Sequence, residues 1–176
     1  MFEKMLFNKR PTVPSLDEGS VRTLAHFVSH SCSPQWRTLL AVLTQDVALL
    51  LDLPEAQTRF YRTVGTRLAD VTPLPPCTSL SEVQMAASVL WREIGWGWVE
   101  FTDAGNVLHI THGAYPVPML PDQPAEMPSW LAHVLEGTYS RWLQQLGGDG
   151  LVARWRNLDA EAGTPFLFDV GRFEEV

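Results

Sequence analysis

From Ser33 onward the apolar positions of the chain fall into a helical rhythm. Trp36, Leu39, Leu40, Leu43, Val47, Leu50 and Leu51 follow one another at steps of three, four and one, which is one face of a 3.6-residue period. Ser33 is placed to cap this helix, and Pro34 occupies its first turn, where a missing N–H costs nothing. After Asp52 and Pro54, Phe60, Val64 and Leu68 recur at four-residue steps, predicting a second helix that forms a hairpin with the first. A shorter helix over Val21 to Ser29 is expected ahead of them. Ser79 and Glu82 have capping-box spacing and open a helix through Val83, Ala86, Val89, Leu90 and Trp91 that stops at Gly95.

The period then drops to two. WGWVEFTD (96–103) and NVLHITHG (106–113) flank Ala104-Gly105 and predict a β-hairpin. Five prolines in 114–128 exclude a helix or a central strand and favour an extended excursion. Ser129 is expected to cap a helix from Trp130 to Leu146 with Trp130, Val134, Leu135 and Trp142 on its apolar side, ended by Gly147-Gly148. LVARWRNLD (151–159) and TPFLFDVGRF (164–173) return to strand-like alternation around Gly163. Helices, hairpin, helix, hairpin is the order of an α+β domain with an antiparallel sheet.

Length and composition fit one such domain: 176 residues, 45% hydrophobic, with seven tryptophans. A chain of this size buries a self-sufficient core. Its formal charge of -7 argues against nucleic acid, whose phosphates demand Lys and Arg. Lys4 and Lys9 are its only lysines, so a polybasic membrane patch is not expected. The first residues, MFEKMLFNKRPTVPS, lack the apolar stretch of a signal peptide, and Cys32 and Cys77 are isolated. Both features predict cytoplasmic residence with reduced thiols.

The chemistry-bearing motifs are few. GxGxxG, GxxxxGK[ST] and GxSxG do not occur, so neither a phosphate cradle nor a nucleophile elbow is expected. His26 and His30 share a helical face near Cys32, but zinc requires three or four ligands in defined geometry. His109 and His112, three apart in a strand, project to opposite faces. Glu100, Asp103 and Glu136 are the carboxylates to weigh as a glycosidase pair, against the plainer reading of solvated acids. No catalytic residue, metal or cofactor is assigned. Trp96 and Trp98, two apart in the predicted strand, are candidates for one shared face that stacks on sugar rings or, with more weight, packs in a core or subunit interface. Glu136 and Arg141 are expected to be inter-subunit or solvated charges.

SWLAHVLEGTYSRWLQQL (129–146), IGWGWVEF (94–101), PPCTSLSEVQ (75–84) and FYRTVGTRLA (60–69) together resemble the D-subunit family of cellulose synthase, from bacterial cellulose-secretion systems, over about residues 34–176. Residues 1–33 are read as a partly flexible N-terminal arm outside that core. The positions that carry the resemblance most specifically are Trp130, Leu131, Leu135, Glu136, Gly137, Tyr139, Arg141 and Trp142. The resemblance implies a non-catalytic accessory subunit, a ring or cylinder that is an octamer built from dimers, and promotion of ordered, crystalline cellulose. It also implies partners: other synthase subunits, a proline-rich protein and, in an alternative view, β-1,4-glucan chains guided through the oligomer. On location it offers a cytoplasmic scaffold associated with the inner-membrane complex or, alternatively, a periplasmic guide.

Overall fold

The computed structural model describes residues 17–105, 107–118 and 126–173. Among them lie five helices and four strands: α1 (Glu18–His30), α2 (Pro34–Leu50), α3 (Pro54–Val71), α4 (Leu80–Glu93), β1 (Trp98–Asp103), β2 (Leu108–Gly113), α5 (Ser129–Gln145), β3 (Val152–Trp155) and β4 (Phe166–Gly171). The strands form one sheet in the order β1-β2-β4-β3, with every neighbouring pair antiparallel. This is the α+β architecture that the order of periods predicts. The arm reading for residues 1–16 and the centre of the proline-rich stretch, residues 119–125, lie outside the described residues.

Local signals set most boundaries. Asp17 caps α1 by accepting from the Ser20 N–H at 2.8 Å, and that bond, with a second from the Ser20 hydroxyl, holds its carboxyl below the usual range. Pro34 opens α2 as expected, although the Ser33 side chain makes no capping bond. At α4 the Ser79 hydroxyl accepts from the Glu82 N–H. Glu82 in turn accepts from the Thr78 N–H at 2.6 Å, one residue earlier than in the usual reciprocal box. Ser129 is not a cap: it lies inside α5, and the capping position falls to Pro128.

One face of the sheet supplies the core. Val99, Phe101, Ile110, Phe166, Phe168 and Val170 are buried and belong to one cluster with Trp91, Leu131, Leu135, Tyr139 and Trp142. Period-two alternation in β4 and in β1 from Trp98 to Phe101 follows directly.

The helical hairpin expected from α2 and α3 does not form. α3 packs along α5 instead, and it buries Tyr61, Gly65 and Ala69, one residue out of phase with Phe60, Val64 and Leu68. The reason is steric. A Cβ on Gly65 would stand 1.9 Å from the Val134 carbonyl oxygen, and one on Gly137 would stand 2.1 Å from that of Arg62. Interaxial distance is set by the side chains at the crossing, and reciprocal glycines let these two backbones touch. Thr138 then donates its hydroxyl to the carbonyls of Gly65 and Val134.

Both sheet edges are closed by polar side chains four residues apart on a helix. On α4, Gln84 accepts from the Phe101 N–H at 2.7 Å and Ser88 donates to the Val99 carbonyl. On α5, Glu136 accepts from the Trp155 N–H at 2.7 Å and Ser140 from the Ala153 N–H at 2.9 Å. Open strand edges template unwanted pairing; here β1 and β3 have the edge groups just named engaged.

Candidate functional site: exposed helix faces and a buried carboxylate hub

Most of the apolar stripe that makes α2 predictable from sequence stays outside the core: Val47 packs against it half-buried, and Leu40 and Leu51 are half-buried. Ala41 is the residue of α2 that is buried. Trp36, Leu39, Leu43 and, at 81%, Leu50 are exposed, as are Val21, Leu24 and, at 66%, Phe27 on α1. Two consecutive helices therefore present large side chains to solvent, the mark of a surface that another macromolecule covers. The corner between them is anchored: Cys32 is buried, and the Ser31 hydroxyl accepts from the Val117 N–H at 2.9 Å.

Glu136 overturns the expectation of a solvated or inter-subunit charge. It is 2% exposed and joins three elements. Arg62 of α3 donates to both carboxylate oxygens, at 2.8 and 3.1 Å. His133 of α5 donates through Nδ1 at 2.7 Å, and the Trp155 N–H of β3 completes the set. Burial alone pushes this carboxyl up, and the three sets of hydrogen bonds more than offset it, so it sits below its ordinary value.

With Nδ1 donating to Glu136, His133 Nε2 accepts from the Thr58 hydroxyl at 3.3 Å. Thr58, His133 and Glu136 are thus ordered as nucleophile, base and acid are in hydrolases. Glu136 also accepts from Arg62 and a backbone N–H, so the same carboxylate ties α3 and β3 to α5. The arrangement is a satisfied structural network at the wall of a cleft of ≈ 460 Å³ between α2, α3 and the start of α5.

The remaining candidates are dispersed. Trp96 is not in the strand: Gly95 and Gly97 take positive φ, and that turn lays the Trp96 ring on Trp91 with centroids 5.6 Å apart and planes 3° apart. Trp98 begins β1, 44% exposed, over Gly113, where a Cβ would meet its ring. The shared aromatic face expected of the two is therefore absent. Phe101 is buried on the face opposite Trp98. Leu131, Leu135, Tyr139 and Trp142 are core, with the Trp142 indole donating to the Thr72 carbonyl. Trp130 is half-buried against Tyr61, and Arg141 pairs with Asp70 at the surface.

Glu100 is exposed on β1, Asp103 accepts from Gly105 in the hairpin turn, and Glu136 sits at the opposite sheet edge, so the three carboxylates do not flank one cleft. His109 pairs with Asp169 while His112 is buried, on opposite faces as their spacing predicts. His26 and His30 share a face with ring centroids 4.2 Å apart. Among the described residues, no group of three or more His, Cys, Asp or Glu side chains is placed to hold a metal ion. No helix there is long and apolar enough to cross a membrane.

His112 is a buried residue that spacing distinguishes only by the face it occupies. Nε2 donates to the Trp96 carbonyl at 2.8 Å, so Nδ1 accepts from the Tyr139 hydroxyl. Burial lowers its pKa to about 4, against the opposing pull of the Trp96 carbonyl. The unfolded chain takes up this proton below its ordinary value of 6.5, whereas the folded chain does not until about pH 4. His112 alone should therefore remove about 3 kcal/mol of stability as pH falls through that window. Urea midpoints measured from pH 7 to pH 4, with the imidazole followed by NMR, check this; titration of a folded-state His112 near 6.5 would contradict it.

The described residues thus form a small helix-flanked antiparallel sheet, with the Glu136 network satisfied inside and apolar side chains of α1 and α2 outside. The family comparison gives it a place: the model for the D subunit of cellulose synthase matches residues 22–166, from within α1 to the start of β4, and the chain belongs to that family. A cellulose synthase operon protein D of Komagataeibacter xylinus is 34% identical over 110 residues, covering 61% of this chain and 69% of the relative. One of Komagataeibacter sucrofermentans is 32% identical over the same extent.

Proposed function

We propose that this chain is a non-catalytic accessory subunit of bacterial cellulose synthesis that assembles with copies of itself and organises synthase complexes so that glucan leaves in ordered, crystalline form. The observation that carries the reading is the outward apolar face of α1 and α2: a core-sized stripe on a helix pair that its own chain leaves uncovered. Obligate oligomer interfaces resemble a core cut in half, and this surface has that composition. Membership of the D-subunit family supplies the process, and the resemblance suggests an octamer built from dimers. The finer placement, a scaffold acting with a proline-rich partner and the other synthase subunits, is what the family resemblance implies, and two free cysteines, one of them buried, fit the cytoplasmic side of it.

Leu39→Glu/Leu43→Glu tests it, since both side chains are about half exposed in the single chain. The variant is expected to keep its circular dichroism and its unfolding midpoint while the assembly falls to smaller species. Cells carrying it are expected to secrete less crystalline cellulose. An unchanged assembly mass would overturn the role given to this face. The alternative reading, a glucan guide, rests on the exposed Trp98 and on the half-buried Trp96, whose ring stacks on Trp91 and lines a cavity of ≈ 380 Å³ with Trp36 and Trp130.

A further inference from the structure

We infer that the outward face of α3 docks an acidic amphipathic helix of another protein, beside the self-assembly face on α1 and α2, with Val64 at the boundary between them. Because Gly65 and Gly137 turn α3 toward α5 through its small residues, the opposite stripe is left in solvent: Arg59, Phe60, Thr63, Val64 and Arg67 are all exposed. Phe60 and Val64 form the apolar centre, in a shallow groove of ≈ 410 Å³ that Leu51 closes at one end. Arg59 and Arg67 bracket it, eight residues or ~12 Å apart along the axis.

The two arginines are the informative part. Arg62 and Arg141 are spent on Glu136 and Asp70, and Arg156 on Asp169. Arg59 and Arg67 make no ion pair or guanidinium hydrogen bond among the described residues. On a protein of formal charge -7, an apolar stripe bracketed by two uncommitted cations asks for carboxylates at matching spacing. Arginine holds a carboxylate bidentately, and an apolar helix face laid in a groove is a standard recognition mode. The apolar contact supplies affinity, and the arginines fix register and exclude basic partners.

The helices with exposed apolar stripes in this chain do not fit that description. α1 and α2 carry a single carboxylate each, Glu18 and Asp46, and on α4 the acids that flank Met85 and Val89, Glu82 and Glu93, stand eleven residues apart instead of eight, with Glu82 engaged by the Thr78 N–H and hydroxyl and the like-charged Arg92 beside Glu93. The occupant is therefore a different chain, with leucine-like residues between two acids about two helical turns apart.

The test uses the full-length protein and two fluorescently labelled helical peptides: a leucine stripe bracketed by glutamates about eight residues apart, and its twin with lysines in their place. Fluorescence anisotropy at low salt should show the glutamate peptide binding at least about tenfold tighter, with the preference shrinking as salt rises. Arg59→Glu/Arg67→Glu should reverse the preference, and Arg59→Gln/Arg67→Gln should abolish it; the second variant decides the matter if the first fails to fold. Equal binding of both peptides would overturn the proposal, as would a preference unchanged in the variants. So would a variant whose assembly mass drops while peptide preference persists, since the face would then belong to copies of this chain.

Discussion

Alanine at Gly137 or Gly65 is expected to destabilise the fold by about 3 kcal/mol, the upper end of what overpacking costs. The sign carries the information. On a helix surface without neighbours, Gly→Ala stabilises by roughly 0.5–1 kcal/mol, because glycine has more backbone freedom to lose. Here the added methyl would stand 2.1 Å from the Arg62 carbonyl oxygen in one case and 1.9 Å from that of Val134 in the other. Backbone cannot rotate away as a flexible side chain does, so α3 and α5 must separate along the crossing. Each variant should shift its urea midpoint downward, and a stabilised Gly137→Ala protein would show that the two helices do not meet as described.

Loss of the Glu136 carboxylate is the second large effect. Glu136→Ala removes the shared acceptor of Arg62, His133 and the Trp155 N–H. It is expected to cost about 3–5 kcal/mol, the range for breaking a buried ion pair from one side. Glu136→Gln keeps the size and can keep one carbonyl oxygen on Trp155, so it should cost less, about 1–3 kcal/mol. In the Ala variant the β3 edge should exchange its Trp155 amide faster than the β1 edge, which Gln84 and Ser88 close independently. Equal stability of wild type and Glu136→Ala would remove Glu136 as the junction of α3, α5 and β3. The depressed carboxyl adds a pH dependence of the same sign as that of His112: its contribution is complete above the unfolded-state value and lost as pH falls through the lower folded one.

These two sites mark what sequence periodicity could and could not convey. The switch from helical to period-two spacing near residue 96, the glycine stops at Gly95 and Gly147, and the strand pair in the tail follow from local chemistry, and the structure has them. Periodicity also finds the apolar stripes of α2 and α3 correctly, but it assigns them to the wrong environment. An apolar stripe indicates a face that needs covering without saying whether the same chain covers it. On α3 the core side is the one with Tyr61, Gly65 and Ala69, because close backbone approach outcompetes the larger Phe60 and Val64. No residue count favours a glycine face, so that choice is invisible until α5 is seen beside it.

Trp96 and Glu136 fail for a different reason. Two flanking glycines with positive φ turn Trp96 out of the strand, and neither is required by alternation. Glu136 looks like a solvated acid unless Arg62, which is 74 positions away in sequence, and the free edge of β3 are placed next to it. The expected cap at Ser129 misses because Pro128 takes the capping position. One signal was available for Glu136: between Val134 and Ser140 it is the one charged residue, set among apolar and small side chains and four residues from Ser140.

If the outward face of α1 and α2 exists to be covered by another copy, the purified protein cannot be a single chain in solution. Light scattering at micromolar concentration decides between the two states. The predicted result is a discrete assembly several times the 19.7 kDa of one chain, reduced by Leu39→Glu/Leu43→Glu. A stable 19.7 kDa monomer would contradict it.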